Sequence, residues 1–291
     1  MIRIENEQLR VTISPTGGTL QSIFGKQTET EYLWQEDPTY WAKRAPNLFP
    51  FVGRLYEKRY TAGGQSYEMT IHGFAPTSQM EEEQTGPESC VFTLRDSEST
   101  RAIYPYRFEY RVRYTLDENR LQICYEVTNR DEKTLYFGVG GHPGFNVPLE
   151  AGLAFEDYAL TFREASVPNR VQFSDQVLVN GVRTPYPLVN NVTIPLRHDL
   201  FDQDAVVLAD APRGVTLASE KGRRGVRVTW PQMPYIGFWH KPHSDAPFVC
   251  IEPWSVLPGR EGVVEALETM ADMTALQPGE TRTNSWTIEV W

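Results

Sequence analysis

No stretch of this chain approaches the roughly 18 consecutive apolar residues of a membrane-spanning helix. The opening Met1-Ile2-Arg3-Ile4-Glu5-Asn6-Glu7 breaks its apolar residues with charge too early for a secretory signal. The reading is therefore of a cytoplasmic protein with no membrane partner. Positive charge is scarce as well: 28 Lys and Arg stand against 38 Asp and Glu, a net charge of −10. Without a basic run to override it, that field repels polyanions, so no nucleic-acid partner is expected. Cysteine is sparse. Cys90, Cys124 and Cys250 are too few and too scattered for a disulfide framework, and no pair has zinc-motif spacing; all three are expected reduced, in or near a core. Also missing are a Gly-x-Ser-x-Gly elbow, a dinucleotide-binding Gly-x-Gly-x-x-Gly and a phosphate loop, which argues against serine-hydrolase and nucleotide chemistry.

What is present is alternation. Leu9 to Ser14 and Leu20 to Phe24 read as a hairpin around Pro15-Thr16-Gly17-Gly18, and Lys58 to Tyr67 as another around Gly63-Gly64. The clearest pair is Phe108 to Leu116 and Leu121 to Thr128, joined at Asp117-Glu118-Asn119, with Leu121, Ile123, Tyr125 and Val127 on one face. Similar segments recur at 158–162, 205–208, 215–217, 226–230, 248–252 and 285–291. Between Arg44 and Leu55, Pro46 and Pro50 exclude a regular helix and predict an extended, largely buried segment that ends by presenting Arg54. Only Val263 to Met270 offers a helical turn or two. With no repeat, low-complexity tract or linker, residues 1–291 are expected to form one all-β domain, an antiparallel sandwich whose loops carry the site.

Two residues stand out chemically. His142 lies in Gly138-Val139-Gly140-Gly141-His142-Pro143-Gly144-Phe145-Asn146, and an imidazole gives or takes a proton near neutral pH. A structural histidine in a turn is the commoner reading of that environment taken alone. The flanking glycines would let backbone or substrate come close. Glu252 ends the apolar strand Phe248-Val249-Cys250-Ile251-Glu252, where a carboxylate is costly unless it is paired or used. It reads equally as the partner of an arginine such as Arg54 or Arg44, or as a general base whose pKa burial has raised. His72, in His72-Gly73-Phe74-Ala75, shares the glycine and aromatic context of His142. His198 and His243 lie in charged stretches expected at the surface, and the His240/His243 pair lacks a carboxylate nearby, so no metal is expected.

The segments Pro46-Asn47-Leu48-Phe49-Pro50-Phe51-Val52-Gly53-Arg54, His72-Gly73-Phe74-Ala75, Gly140-Gly141-His142-Pro143-Gly144-Phe145-Asn146 and Cys250-Ile251-Glu252-Pro253-Trp254 occur in an order that resembles the aldose 1-epimerase (galactose mutarotase) family. The similarity is greatest to its short bacterial branch related to lactose-operon epimerases. Leu276-Gln277-Pro278-Gly279-Glu280 looks like that family's closing segment, so the resemblance spans nearly the whole chain. It implies a galactose mutarotase-like antiparallel β-supersandwich with an open sugar cleft, no cofactor, and a monomer or homodimer acting on a small sugar. By the same resemblance, His142 is the general acid at the ring oxygen and Glu252 the general base at the anomeric hydroxyl. Arg54 and His72 hold the sugar, Asp204 binds its hydroxyls, and Trp239 supplies an apolar wall. Free hexose is the expected substrate; a sugar phosphate and a non-catalytic carbohydrate-binding protein are the alternatives. Pro76 follows Ala75 where many relatives, including hexose-6-phosphate epimerases, have arginine, which counts against the phosphate. Ser255-Val256-Leu257-Pro258-Gly259-Arg260 also departs from the commoner pattern.

Overall fold

The alternation that dominates the middle of the sequence becomes the longest hairpin of the protein. In the computed structural model, which describes all 291 residues, strands Phe108–Asp117 and Arg120–Asn129 pair antiparallel with Val112 opposite Tyr125 and Tyr114 opposite Ile123. Every second side chain along Phe108–Leu116 is buried, which a period of two produces when one face meets the core.

This hairpin lies within a nine-stranded sheet. Its strand order is Thr193–Pro195, Tyr158–Phe162, Gly214–Ser219, Gly225–Thr229, Thr281–Val290, Arg120–Asn129, Phe108–Asp117, Ser89–Arg95 and Glu81–Gly86. A second, eight-stranded sheet runs from Val179–Pro185 through Asn169–Phe173, Val206–Ala209, Tyr235–Trp239 and Phe248–Trp254 to the short strands Gly140–Gly141 and Asn47–Leu48, with Gly144–Asn146 also paired to Phe248–Trp254. The N-terminal hairpin strands form a separate four-stranded sheet. A hydrophobic cluster of 76 buried residues, including Trp230, Trp286, Tyr110 and Tyr125, joins these layers. The protein is all-β and antiparallel in its main sheets, as the alternation implied.

The proline-interrupted segment from Arg44 is extended and buried from Ala45 to Gly53. Asn47 fastens it from inside. Its amide donates to the carbonyls of Gly17 (3.0 Å) and Gly18 (2.9 Å), and its Oδ1 accepts from the Tyr125 hydroxyl at 2.9 Å. A buried amide with its polar atoms so satisfied holds register instead of costing stability.

Helix formed elsewhere than expected. Val263 to Met270 contains the two-residue strand Glu265–Ala266, parallel to Tyr60–Thr61, followed by a turn. The buried carboxylate of Glu265 accepts from both Nε and Nη2 of Arg260 at 2.9 Å, and this anchor outweighs a periodicity only two turns long. The one α-helix is Glu98–Ile103, capped by Ser97: the Thr100 N–H donates to Ser97 Oγ (3.2 Å) and the Ser97 N–H to Thr100 Oγ1 (2.8 Å). That reciprocal cap was written in the sequence as a serine three residues before a threonine, but no apolar stripe accompanied it.

Candidate active site

Strand Phe248–Trp254 forms the floor of the site. All seven residues are buried, and their side chains divide by parity. Val249 and Ile251 enter the main core, whereas Phe248 and Cys250 pack with Trp34 and Ala246 in a small separate cluster, and Glu252 and Trp254 line a cleft. Glu252 therefore does not end its strand, which runs on to Trp254, but lies within the strand's cleft-side row.

His142 reaches the same place from the glycine-rich stretch. Gly140 pairs with both Leu48 and Trp254, Gly141 pairs with Asn47, and the His142 N–H donates to the Pro46 carbonyl at 3.1 Å. The glycines serve packing against protein, not close approach of a ligand. A Cβ on Gly141 would lie 2.5 Å from the Trp286 ring, one on Gly138 2.1 Å from Val256, and one on Gly140 2.9 Å from Trp254. The departing segment after Trp254 braces this stretch: Ser255 Oγ accepts from the Val139 N–H at 2.8 Å, and the Ser255 N–H donates to the Val139 carbonyl at 2.9 Å.

His72 is tied to Gly53, the residue before Arg54. The His72 N–H donates to the Gly53 carbonyl at 2.9 Å, and His72 Nδ1 accepts from the Gly53 N–H at 3.1 Å. With Nδ1 an acceptor, the neutral ring carries its proton on Nε2. His72 is held at φ +67°, a conformation that side chains other than glycine seldom adopt. The neighbouring Gly73 is obligatory, because a Cβ there would fall 2.1 Å from the Phe49 carbonyl oxygen. Asp204 follows the 3-10 turn His198–Phe201, also at positive φ (+70°), with Oδ1 accepting from the Ala205 N–H at 2.7 Å.

All six residues singled out in the sequence, Arg54, His72, His142, Asp204, Trp239 and Glu252, line this one cleft. Reading the sequence missed Trp41, Lys43 and Trp254. Trp41 stacks on the His142 ring (centroids 4.9 Å apart, planes at 24°), while Trp239 meets that ring edge-on at 5.7 Å. The adjacent aromatics Tyr40-Trp41 in an otherwise polar, Pro-containing loop were the available signal. For Trp254 it was parity with Glu252.

His142 Nε2 lies 3.2 Å from Glu252 Oε2. Neither Arg54 nor Arg44 pairs with Glu252; Arg44 Nε instead meets Glu36 at 3.2 Å. The approach of His142 to Glu252 lacks good hydrogen-bond geometry, so Glu252 Oε2 remains buried without a hydrogen-bond partner, and His142 Nδ1, on the other side of the ring, is also buried and unpartnered. Burial, and then the nearby Asp204 carboxylate, push the Glu252 carboxyl well above its ordinary range. Burial and the neighbouring His72 lower His142. His72 itself is brought down to about 3 by burial and by the charges of Lys43 and Arg54. Cys250 completes a group with His142 and Glu252 whose nitrogen, sulfur and oxygen donors lie within 4.8 Å of one another.

The remaining histidines divide. His243 is exposed and near Asp202. His198, expected at the surface, is half-buried: its ring stacks on Phe155 at 4.1 Å, and its Nδ1 lies 3.1 Å from His240 Nε2. An apolar partner from a loop distant in sequence outweighs the charged neighbours that suggested exposure.

The aldose 1-epimerase family model matches residues 1–289. The chain belongs to the aldose 1-epimerase family. Among its relatives in this family, plasmid-borne Protein LacX of Lactococcus lactis subsp. lactis is 34% identical over an alignment that takes in 99% of each chain. A galactose mutarotase related enzyme from Lactobacillus acidophilus superposes with a TM-score of 0.95 at 34% identity, covering 100% of this chain and 97% of the other. A galactose mutarotase-like protein from Lactobacillus casei gives 0.95 at 32% identity, with both chains covered completely. The fold is thus that of galactose mutarotase-like proteins. No helix of this family member is long and apolar enough to cross a membrane.

Proposed function

We propose that the protein is an aldose 1-epimerase, interconverting the α and β anomers of an aldose by general acid and base catalysis. The observation that carries this reading is the 3.2 Å approach of His142 Nε2 to Glu252 Oε2 at the floor of a cleft walled by tryptophans. In the ring-closed complex the pair works as Glu252 carboxylate and His142 imidazolium. Glu252 takes the proton of the C1 hydroxyl, His142 protonates the ring oxygen, and the C1–ring oxygen bond breaks to give the open aldehyde. Both groups are then neutral. Burial favours that state, while the short contact between the groups supports the charged one. Rotation about C1–C2 and return of both protons close the ring as the other anomer. Arg54 and the Nε2–H of His72 donate to sugar oxygens, Asp204 accepts from hydroxyls, and Trp239 and Trp41 cover an apolar face.

A second reading concerns the substrate alone. Lys43 and Arg54 both line the cleft, and no carboxylate lies within ion-pair distance of either, which favours an aldose carrying an anionic group such as phosphate. Polarimetry of freshly dissolved α-glucose and α-galactose, beside anomeric exchange of their 6-phosphates by NMR, tests both. Acceleration of neutral sugars supports a free hexose, acceleration confined to the phosphates selects the second reading, and acceleration of no aldose removes the epimerase assignment.

A further inference from the structure

Cys250 has no part in the proton transfers above, yet its thiol faces the two groups that perform them. We propose that Cys250, His142 and Glu252 form a binding site for a soft divalent cation, Zn²⁺ or Cd²⁺, which inactivates the protein by occupying its acid and base together. The donor set is one sulfur, one nitrogen and one carboxylate oxygen, a combination suited to zinc and its heavier congener. The residues are 0%, 8% and 1% exposed, and their donor atoms lie within 4.8 Å of one another. Tetrahedral zinc binds such donors at about 2.0–2.3 Å, which places them roughly 3.3–3.8 Å apart, so closing the site needs movements of only about 1 Å.

A second observation points the same way. Glu252 Oε2 is buried without a hydrogen-bond partner beside the imidazole, and a polar atom so placed is costly until something occupies it. The entry path is the cleft itself, since His142 and Glu252 line it, and the fourth coordination position opens into it. Trp41 and Phe248 pack around the triad and keep the other sides dry. Binding is a proton exchange: the cation forms bonds to sulfur, nitrogen and oxygen, and the thiol gives up its proton to solvent as it becomes the thiolate ligand. The thiolate and the carboxylate neutralise the cation, and its affinity rises with pH. Sequence spacing could not find this triad, because Cys250 and Glu252 share the strand Phe248–Trp254 while His142 comes from the link between Gly140–Gly141 and Gly144–Asn146, far away in sequence.

Binding itself does not depend on the epimerase reading; only the inhibition rests on it. The test is titration of the intact protein with CdCl₂, following the ultraviolet thiolate-to-cadmium absorption, beside assays of mutarotation with ZnCl₂. The expected result is one Cd²⁺ per chain, with affinity at least about tenfold weaker in Cys250→Ser, where Cys90 and Cys124 remain. Cys250→Ala guards against misfolding of the serine variant. Both variants should turn over sugar at the parent rate and resist zinc. A cysteine-250-dependent cadmium signal that is weakened in His142→Ala and Glu252→Gln upholds the site even if no aldose is turned over. Absence of the signal, its persistence in both Cys250 variants, or zinc inhibition undiminished by their substitution overturns it.

Discussion

The side chains of His142 and Glu252 meet because two backbone pairings place them on one floor: Gly140 lies opposite Trp254, and Gly144 lies opposite Cys250. His142 sits between those two register points and Glu252 between their partners. The 3.2 Å approach of the two side chains is thus set by strand register on both sides of the short His142-Pro143 link.

Glu252→Gln tests what that buried carboxyl does. As the general base its loss should slow mutarotation by about 10²- to 10⁴-fold. Stability should move oppositely. The folded-state pKa lies well above the ordinary 4.5. Below that ordinary value, folded and unfolded chains are both protonated and stability is full. As pH rises past it, the unfolded chain ionises first and the folded state loses stability. The glutamine variant lacks this loss, so its melting temperature should match the parent near pH 4 and exceed it at pH 8, by roughly 2–4 °C for each kcal/mol recovered.

Trp41 is expected to support the acid. Its ring stacks on the His142 imidazole, and an aromatic face favours the protonated form. Trp41→Leu keeps the apolar cover and removes the π face. Losing about 0.5–1.5 kcal/mol of ring interaction should lower kcat roughly 2- to 10-fold and, because His142 is held below and Glu252 above their ordinary ranges, move the acid limb of its pH profile to lower pH. An unchanged profile in polarimetric assays would reduce Trp41 to a wall.

Strand alternation survives into the fold because one face of each strand must be apolar wherever the other meets water, and Phe108–Leu116 obeys this without exception. The residues that line the cleft were legible for a different reason: histidine, arginine and glutamate stand out among glycine, proline and apolar neighbours. Trp41 was not, because an aromatic in a loop looks the same whether it stacks on a functional ring or covers core. The glycines around His142 were misread for a related reason. A missing side chain in the sequence does not say who occupies the space, and here Trp286, Trp254 and Val256 do. The helix placed at Val263 to Met270 failed because Arg260 and Glu265 bind each other more specifically than a short apolar period can direct.

Gly141→Ala separates packing from substrate approach. The new methyl would lie 2.5 Å from the Trp286 ring, which is itself buried in the core. Overpacking of this kind costs about 1–3 kcal/mol, and denaturant unfolding should show that loss. Because the methyl points into the core and away from the cleft, KM should change less than twofold at temperatures where the variant is folded. A large rise in KM with undiminished stability would restore the view that this glycine admits the sugar.

His72→Gln separates binding from acid sensitivity. The Nε2–H of His72 faces the cleft while Nδ1 accepts from Gly53, so a glutamine amide can still donate to a sugar but cannot reproduce both contacts. KM should rise by roughly tenfold, the worth of about 1.4 kcal/mol of lost hydrogen bonding, with a smaller change in kcat. The folded pKa of about 3 lies below the ordinary 6.5. Above 6.5 both states are neutral. As pH falls below it the unfolded chain takes up a proton that the folded chain refuses, so stability drains away until about pH 3. Partial exposure of the ring makes the loss smaller than the full shift implies. Thermal scans from pH 7 to pH 4 should therefore fall less steeply for the glutamine variant than for the parent. A loss of kcat equal to that of His142→Ala, with KM unchanged, would instead make His72 a proton donor in its own right.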